Sequence, residues 1–98
     1  MHRKESLEVQ NKYISCMVKN MPVLRATTRM TQANLAEKLG ISRQTITAIE
    51  RKKRPMAWSL YLAIICVFEQ YEDTKKLFES LKLFDSQFIK EIKAPKRN

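Results

Sequence analysis

Histidine, glycine and cysteine are scarce in this 98-residue chain, and each scarcity removes a class of chemistry. His2 is the single histidine, which leaves no histidine-based zinc site or imidazole acid–base pair to assemble. Gly40 is the single glycine, so the chain lacks the glycine-rich loops that cradle phosphates in nucleotide-using enzymes. Cys16 and Cys66 have no CxxC spacing. Both lie in apolar surroundings and are expected as buried, reduced thiols rather than as a disulfide or metal site. No apolar run approaches the ~18 residues that cross a bilayer. The N-terminal residues are charged and have no apolar signal core, so a cytoplasmic location without a membrane partner is expected. Catalytic residues, metals, cofactors and a small-molecule site are not expected, because the acids are spread through helices or matched by bases.

What is present is helix-forming sequence and positive charge. Three prolines and an apolar content of 44% fit a folded, mostly helical chain rather than disorder. The net charge is +9, and it is unevenly placed. Residues 21–56 hold eight bases against two acids, whereas residues 57–85 hold three against five. A positive excess gathered on one segment is the electrostatic footprint of a polyanion binder.

That segment contains TQANLAEKLGISRQTITAIERKKR, residues 31–54. Leu35, Ala36 and Leu39 form an apolar stripe at helical spacing, and Ile46 and Ile49 form a second. Gly40 suits the left-handed position that ends a helix, and Ser42 can cap the next. Ala36 allows two helices joined by a short turn to cross closely. The pattern is a helix-turn-helix at about 32–51, whose second helix enters the major groove of DNA.

Arg25, Thr31-Gln32, Leu35-Ala36, Gly40, Ile41-Ser42, Ile46 and Ile49-Glu50, followed by a basic loop, stand in one register. Over about Asn20 to Glu69 the chain resembles the phage repressor/Cro-like (Xre-type) family of DNA-binding regulators. The resemblance implies an all-α, compact five-to-six-helix domain of the lambda-repressor-like DNA-binding type. It also implies an internal ion pair between Arg25 and Glu50, and the periodicity agrees, since Glu50 falls near the buried edge of its helix. Two positions depart from the family pattern: Lys52 stands where glycine is usual, and Ala57 where a capping side chain is usual.

On a 100° wheel Gln44, Thr47, Ala48 and Arg51 lie opposite the isoleucines, flanked by Arg43 and Thr45. Glutamine can pair with adenine, arginine with guanine, and threonine or alanine methyls can touch thymine. These six residues are the expected base readers. Gln32 follows the Thr31 cap, where free backbone N–H groups favour a phosphate. In the family the matching glutamine also braces a recognition-helix side chain, for which Gln44 is the expected partner. Lys52, Lys53 and Arg54 are expected to hold the DNA backbone.

The flanks divide the chain into 1–19, an arm (residues 1–5) and an accessory helix from Ser6 to Lys19; 20–69, the helix-turn-helix core; and 70–98, C-terminal helices and a basic tail. Asn20 is expected to cap the helix holding Met21, Leu24 and Met30, with Pro22 in its first turn. From Leu60 to Phe68 every residue is apolar, so that helix should be buried on most faces. Asp73 or Thr74 is expected to cap a helix through Lys82, with Leu77, Phe78 and Leu81 inward, and Ser86 to start a last one carrying Phe88, Ile89 and Ile92. Phe84 lies between them, and the last residues, KAPKRN, form the tail. The function expected is sequence-specific DNA-binding regulation, with a repressor acting as a homodimer on double-stranded DNA. The alternative is an antitoxin-like module that neutralises a protein partner, a toxin or another regulator, and autoregulates through the same helix-turn-helix.

Overall fold

The computed structural model describes residues 3–81, which form five helices and no strand. They are α1 (Arg3–Thr27), α2 (Gln32–Leu39), α3 (Arg43–Glu50), α4 (Trp58–Phe68) and α5 (Glu72–Leu81). The expected helix from Ser86, with Phe84, Phe88, Ile89 and Ile92, and the expected tail lie outside the described residues.

One expectation fails at the start of the chain. Instead of an accessory helix and a second helix capped by Asn20, a single α1 runs through both, so the expected boundary at 19/20 falls mid-helix. The arm expected at 1–5 is likewise helical from Arg3. Met17, Met21 and Leu24 explain the continuity: they sit on one ridge at helical spacing and are all fully buried, so a break at residue 20 would rotate Met17 off the core. Pro22 withholds one N–H from this helix, but it is exposed and is accommodated inside it. The Asn20 amide, rather than capping, donates to the Cys16 carbonyl one turn back at 2.8 Å.

The three helices of the 3–50 segment end alike. After α1, Arg29 is left-handed (φ 57°) and the Met30 N–H reaches back to the Arg25 carbonyl at 2.8 Å. After α2, Gly40 (φ 72°) is followed by Ile41 N–H on the Ala36 carbonyl at 3.0 Å. After α3, Lys52 (φ 61°) is followed by Lys53 N–H on the Ala48 carbonyl at 2.8 Å. Each is a Schellman closure that satisfies helix-end carbonyls and reverses the chain within a few residues. A Cβ built on Gly40 would meet nothing within 4 Å, so conformation, not space, favours glycine there.

The helix starts are equally specified. Thr31 accepts from the Asn34 N–H at 3.0 Å, and the Asn34 side chain accepts the Thr31 N–H at 3.1 Å. This is a reciprocal box that fixes the entry of α2. Ser42 accepts from the Thr45 N–H at 3.2 Å and caps α3. Ala57, at the corresponding place before α4, makes no side-chain cap bond.

The core lies where α1 crosses α3, α4 and α5, and α2 crosses α3 and α4. Leu35, Ile46 and Ile49 meet Tyr61, Ile64, Ile65 and Phe68 of α4 in one buried cluster with Met30, Met56 and Phe78. Trp58 stacks on Tyr61 with ring centroids 4.6 Å apart. Burial, with Tyr13 and Cys16 nearby, pushes the Tyr61 hydroxyl well above the usual phenol range, so it stays neutral.

α4 is less enclosed than its all-apolar sequence suggests. Tyr61, Ile64, Ile65 and Phe68 are buried, whereas Leu60, Leu62, Ala63 and Val67 are half-buried and Cys66 is exposed. The expectation of two buried thiols is corrected accordingly: Cys16 is half-buried and Cys66 lies at the surface. With Phe68 spaced from Tyr61 and Ile64 at helical intervals, only one stripe of α4 can face the core, and position 66 falls off it. The start of the next helix also differs. α5 begins at Glu72, ahead of both expected caps. Asp73 is exposed in its first turn, while buried Thr74 turns its hydroxyl back to the Phe68 and Tyr71 carbonyls. Thr74 therefore closes the end of α4 instead of opening α5.

Candidate nucleic-acid interface

α2 and α3 have eight residues each, too short to persist alone. What aims them is a four-residue polar network between the end of α1, the start of α2 and the end of α3. Arg25 donates from Nε to Glu50 Oε2 at 2.8 Å and from Nη2 to Oε1 at 2.9 Å. Gln32 donates from Nε2 to Glu50 Oε1 at 3.1 Å and accepts the Thr47 hydroxyl at 2.7 Å. The ion pair expected between Arg25 and Glu50 is thus present and bidentate, with side chains only 17% and 7% exposed. A planar guanidinium facing a carboxylate fixes orientation as well as distance.

The network alters two assignments. Gln32 braces Thr47, not Gln44 as expected, because the start of α2 meets α3 one turn further along. Thr47, expected as a base reader, is half-buried with its hydroxyl engaged, which leaves its methyl as the part able to meet a base. Gln44 is exposed at the start of α3 without a network role, as are Arg43 and Arg51. Ala48 is half-buried beside them. Thr45 is half-buried and shares a 2.9 Å hydrogen bond with Ser42. The outer face of α3 therefore presents Arg43, Gln44, Ala48 and Arg51 with no acid among them, since Glu50 turns inward to Arg25.

Lys52, Lys53 and Arg54 follow at once and are all exposed. The Lys52 turn holds them close to the end of α3, and Arg54 leans toward the Thr45 hydroxyl at 3.5 Å. Gln32 stands at the opposite side of the face. There the structure adds a base that the sequence pattern did not single out. Arg29 lines an open hollow of about 390 Å3 with Arg25, Thr31, Gln32 and Arg43, at the N-terminus of α2. Its signal in the sequence is a base set two residues before the Thr31 cap. Phosphates contacting either side of α3 would meet fixed positive charge, and the helix between them offers donors suited to base edges.

Residues 24–57 match the model of the helix-turn-helix family, about a third of the chain. That segment is a helix-turn-helix domain of the Xre/lambda-repressor-like type. No curated protein and no solved structure matches the chain. The all-α fold expected from sequence is the fold of this family, and the domain supports a DNA-binding regulator. Among the described residues no helix is long and apolar enough to cross a membrane.

Proposed function

We propose that this helix-turn-helix protein is a sequence-specific repressor that inserts α3 into the major groove and binds its operator as a homodimer. The observation that carries the reading is the acid-free outer face of α3, aimed by a half-buried ion pair and bounded by the exposed run Lys52–Arg54. Gln44, Arg43 and Arg51 read base edges directly, Ala48 and the methyls of Thr47 and Thr45 contact thymine, and Lys52, Lys53, Arg54 and the backbone N–H of Gln32 hold phosphates. Two-fold-related half-sites then lie about one helical turn, ~34 Å, apart. The half-buried Leu60, Ala63 and Val67 beside exposed Cys66 on α4 support a self-association surface. Nothing in this mechanism requires a catalytic group or a cofactor.

Selection of bound sequences from random duplex DNA, repeated at two salt concentrations, tests the specificity, and enrichment of no motif sinks it. On the selected site, Gln44→Ala should cost about 1–3 kcal/mol and relax the preference at one base pair. Lys53→Ala should weaken all sequences alike and lower the salt slope by about one. Identical behaviour of the two variants would refute the division of labour. Sedimentation of the free protein and of its complex checks the dimer.

A second reading, an antitoxin-like module that neutralises a protein partner, is supported by exposed Leu7 and Val9 near the start of α1. That is apolar surface on which DNA recognition makes no demand.

A further inference from the structure

Between α1 and the loop after α3 lies an open groove of about 650 Å3. Ile14 and Val18 of α1, with buried Met56, give it an apolar floor, and Lys19, Lys52, Lys53 and Arg54 stand around it. No acid lines it. The floor continues beyond the groove. Leu7, Asn11, Ile14 and Val18 share one face of α1 on a 100° wheel, adjoining the face that buries Met17, Met21 and Leu24, and Ile14 and Val18 are half-buried at its edge. At the far end of that face Leu7 is 51% exposed.

An apolar stripe with bases beside it complements a helix that carries aliphatic residues on one face and carboxylates on its flanks. The chain's own residues 86–98 have four bases and one acid, so their charge mismatches this surface. We propose that the groove docks an acidic amphipathic helix of a partner protein, and that docking displaces DNA. The exclusion rests on the phosphate-binding role given above to Lys52, Lys53 and Arg54. Those ammonium and guanidinium groups cannot pair with partner carboxylates and with phosphates at once. The same loop thus serves the operator from one side and a partner from the other, and the protein would be released from DNA by an acidic antagonist rather than by a small ligand.

The test uses a fluorescent peptide of about 18 residues, with leucines at helical spacing on one face and glutamates elsewhere, and an isomer whose leucines are spread around the helix. Ser15, exposed on the α1 wall of the groove and not among the residues given a DNA contact, is changed to Trp to fill the groove from its α1 side. The one-faced peptide should bind the full-length protein and release its selected duplex, with the isomer about tenfold weaker. S15W should hold duplex like the unaltered protein yet resist the peptide about tenfold. Equal action of the two peptides would reduce the effect to polyanion competition and overturn the proposal, as would unimpaired displacement from S15W. A changed sedimentation of S15W, or amide shifts at residues 84–92 in S15W without peptide, would assign the groove to a second copy or to the chain's own end, again overturning it. Direct peptide anisotropy separates the two hypotheses: if no duplex binds but the peptide binds and S15W abolishes it, the DNA reading fails and the groove stands.

Discussion

Two regions of this small protein are held by different physics. Around α3, helices of eight residues are fixed at both ends by caps, left-handed closures and the Arg25–Glu50–Gln32–Thr47 network. Around α4, an 11-residue helix with no side-chain cap is held by burial of Tyr61, Ile64, Ile65 and Phe68 against α1 and Phe78. Apolar burial is strong but non-directional, whereas a bidentate pair specifies an angle. The difference fits the work proposed for each region: a helix that is to read base edges must be aimed, while the belt behind it must only be filled.

The largest expected effect lies in the belt. Phe68→Ala should cost about 3–5 kcal/mol in urea unfolding, while duplex affinity, measured where the variant is still folded, should change little. Arg25→Ala should cost about 3 kcal/mol by leaving the Glu50 carboxylate unpaired in a site where it is 7% exposed. The sharper form is the double change R25M/E50M, which removes both charges. It should regain most of that stability yet bind DNA more weakly than the unaltered protein, because methionines fill space without fixing α3. Full binding by the double variant would break the distinction between aiming and filling.

A smaller effect separates a scaffold glutamine from one proposed to read bases. Gln32→Ala removes the Thr47 acceptor and one of the Glu50 donors, for a loss of about 1–2 kcal/mol in thermal unfolding. Gln44→Ala, at an exposed position, should shift stability by less than ~0.5 kcal/mol. Equal destabilisation by the two changes would place Gln44 in the scaffold after all.

Punctuation and periodicity were readable from sequence wherever a local interaction decides the outcome. Gly40, Thr31 and Ser42 act within three or four residues of themselves, and the structure finds each where its chemistry puts it. The Arg25–Glu50 pair is implied by the family resemblance, and the inward position of Glu50, an acid in need of a partner, agrees with it. What stayed hidden depends on how elements cross. A wheel gives the angle of Gln44 and Thr47 on α3 but not the point along α3 where α2 arrives, so the Gln32 partner was misplaced by one turn. Asn20 carries cap chemistry, yet the ridge Met17–Met21–Leu24 outweighs it because burial continues across that residue. Cys66 has apolar neighbours in sequence, but α4 has only one stripe against the core, and position 66 lies off it. Thr74 has the chemistry of a cap for the helix ahead of it, whereas its acceptor, the Phe68 carbonyl, lies behind it.

The finest contrast lies within six residues at the junction of the two regions. Lys52 holds φ 61°, a conformation that costs a residue with a Cβ about 1 kcal/mol, and Ala57 starts α4 without a cap bond. Lys52→Gly should therefore stabilise by about 0.5–1 kcal/mol, the relief of strain being partly offset by the freer unfolded chain. Ala57→Ser should stabilise by a similar amount, about 0.5–1 kcal/mol, by accepting a free N–H in the first turn of α4. Both gains would appear as higher urea midpoints with unchanged slopes. On DNA the two must part. Lys52→Gly removes a charge from the run proposed to bind phosphates and should lower the salt slope of binding by about 0.9, whereas Ala57→Ser removes no charge and should leave it unaltered. A stabilised Lys52→Gly with an unchanged slope would mean that the base at this left-handed corner serves neither the fold nor the phosphate backbone, and the positive loop would shrink to Lys53 and Arg54.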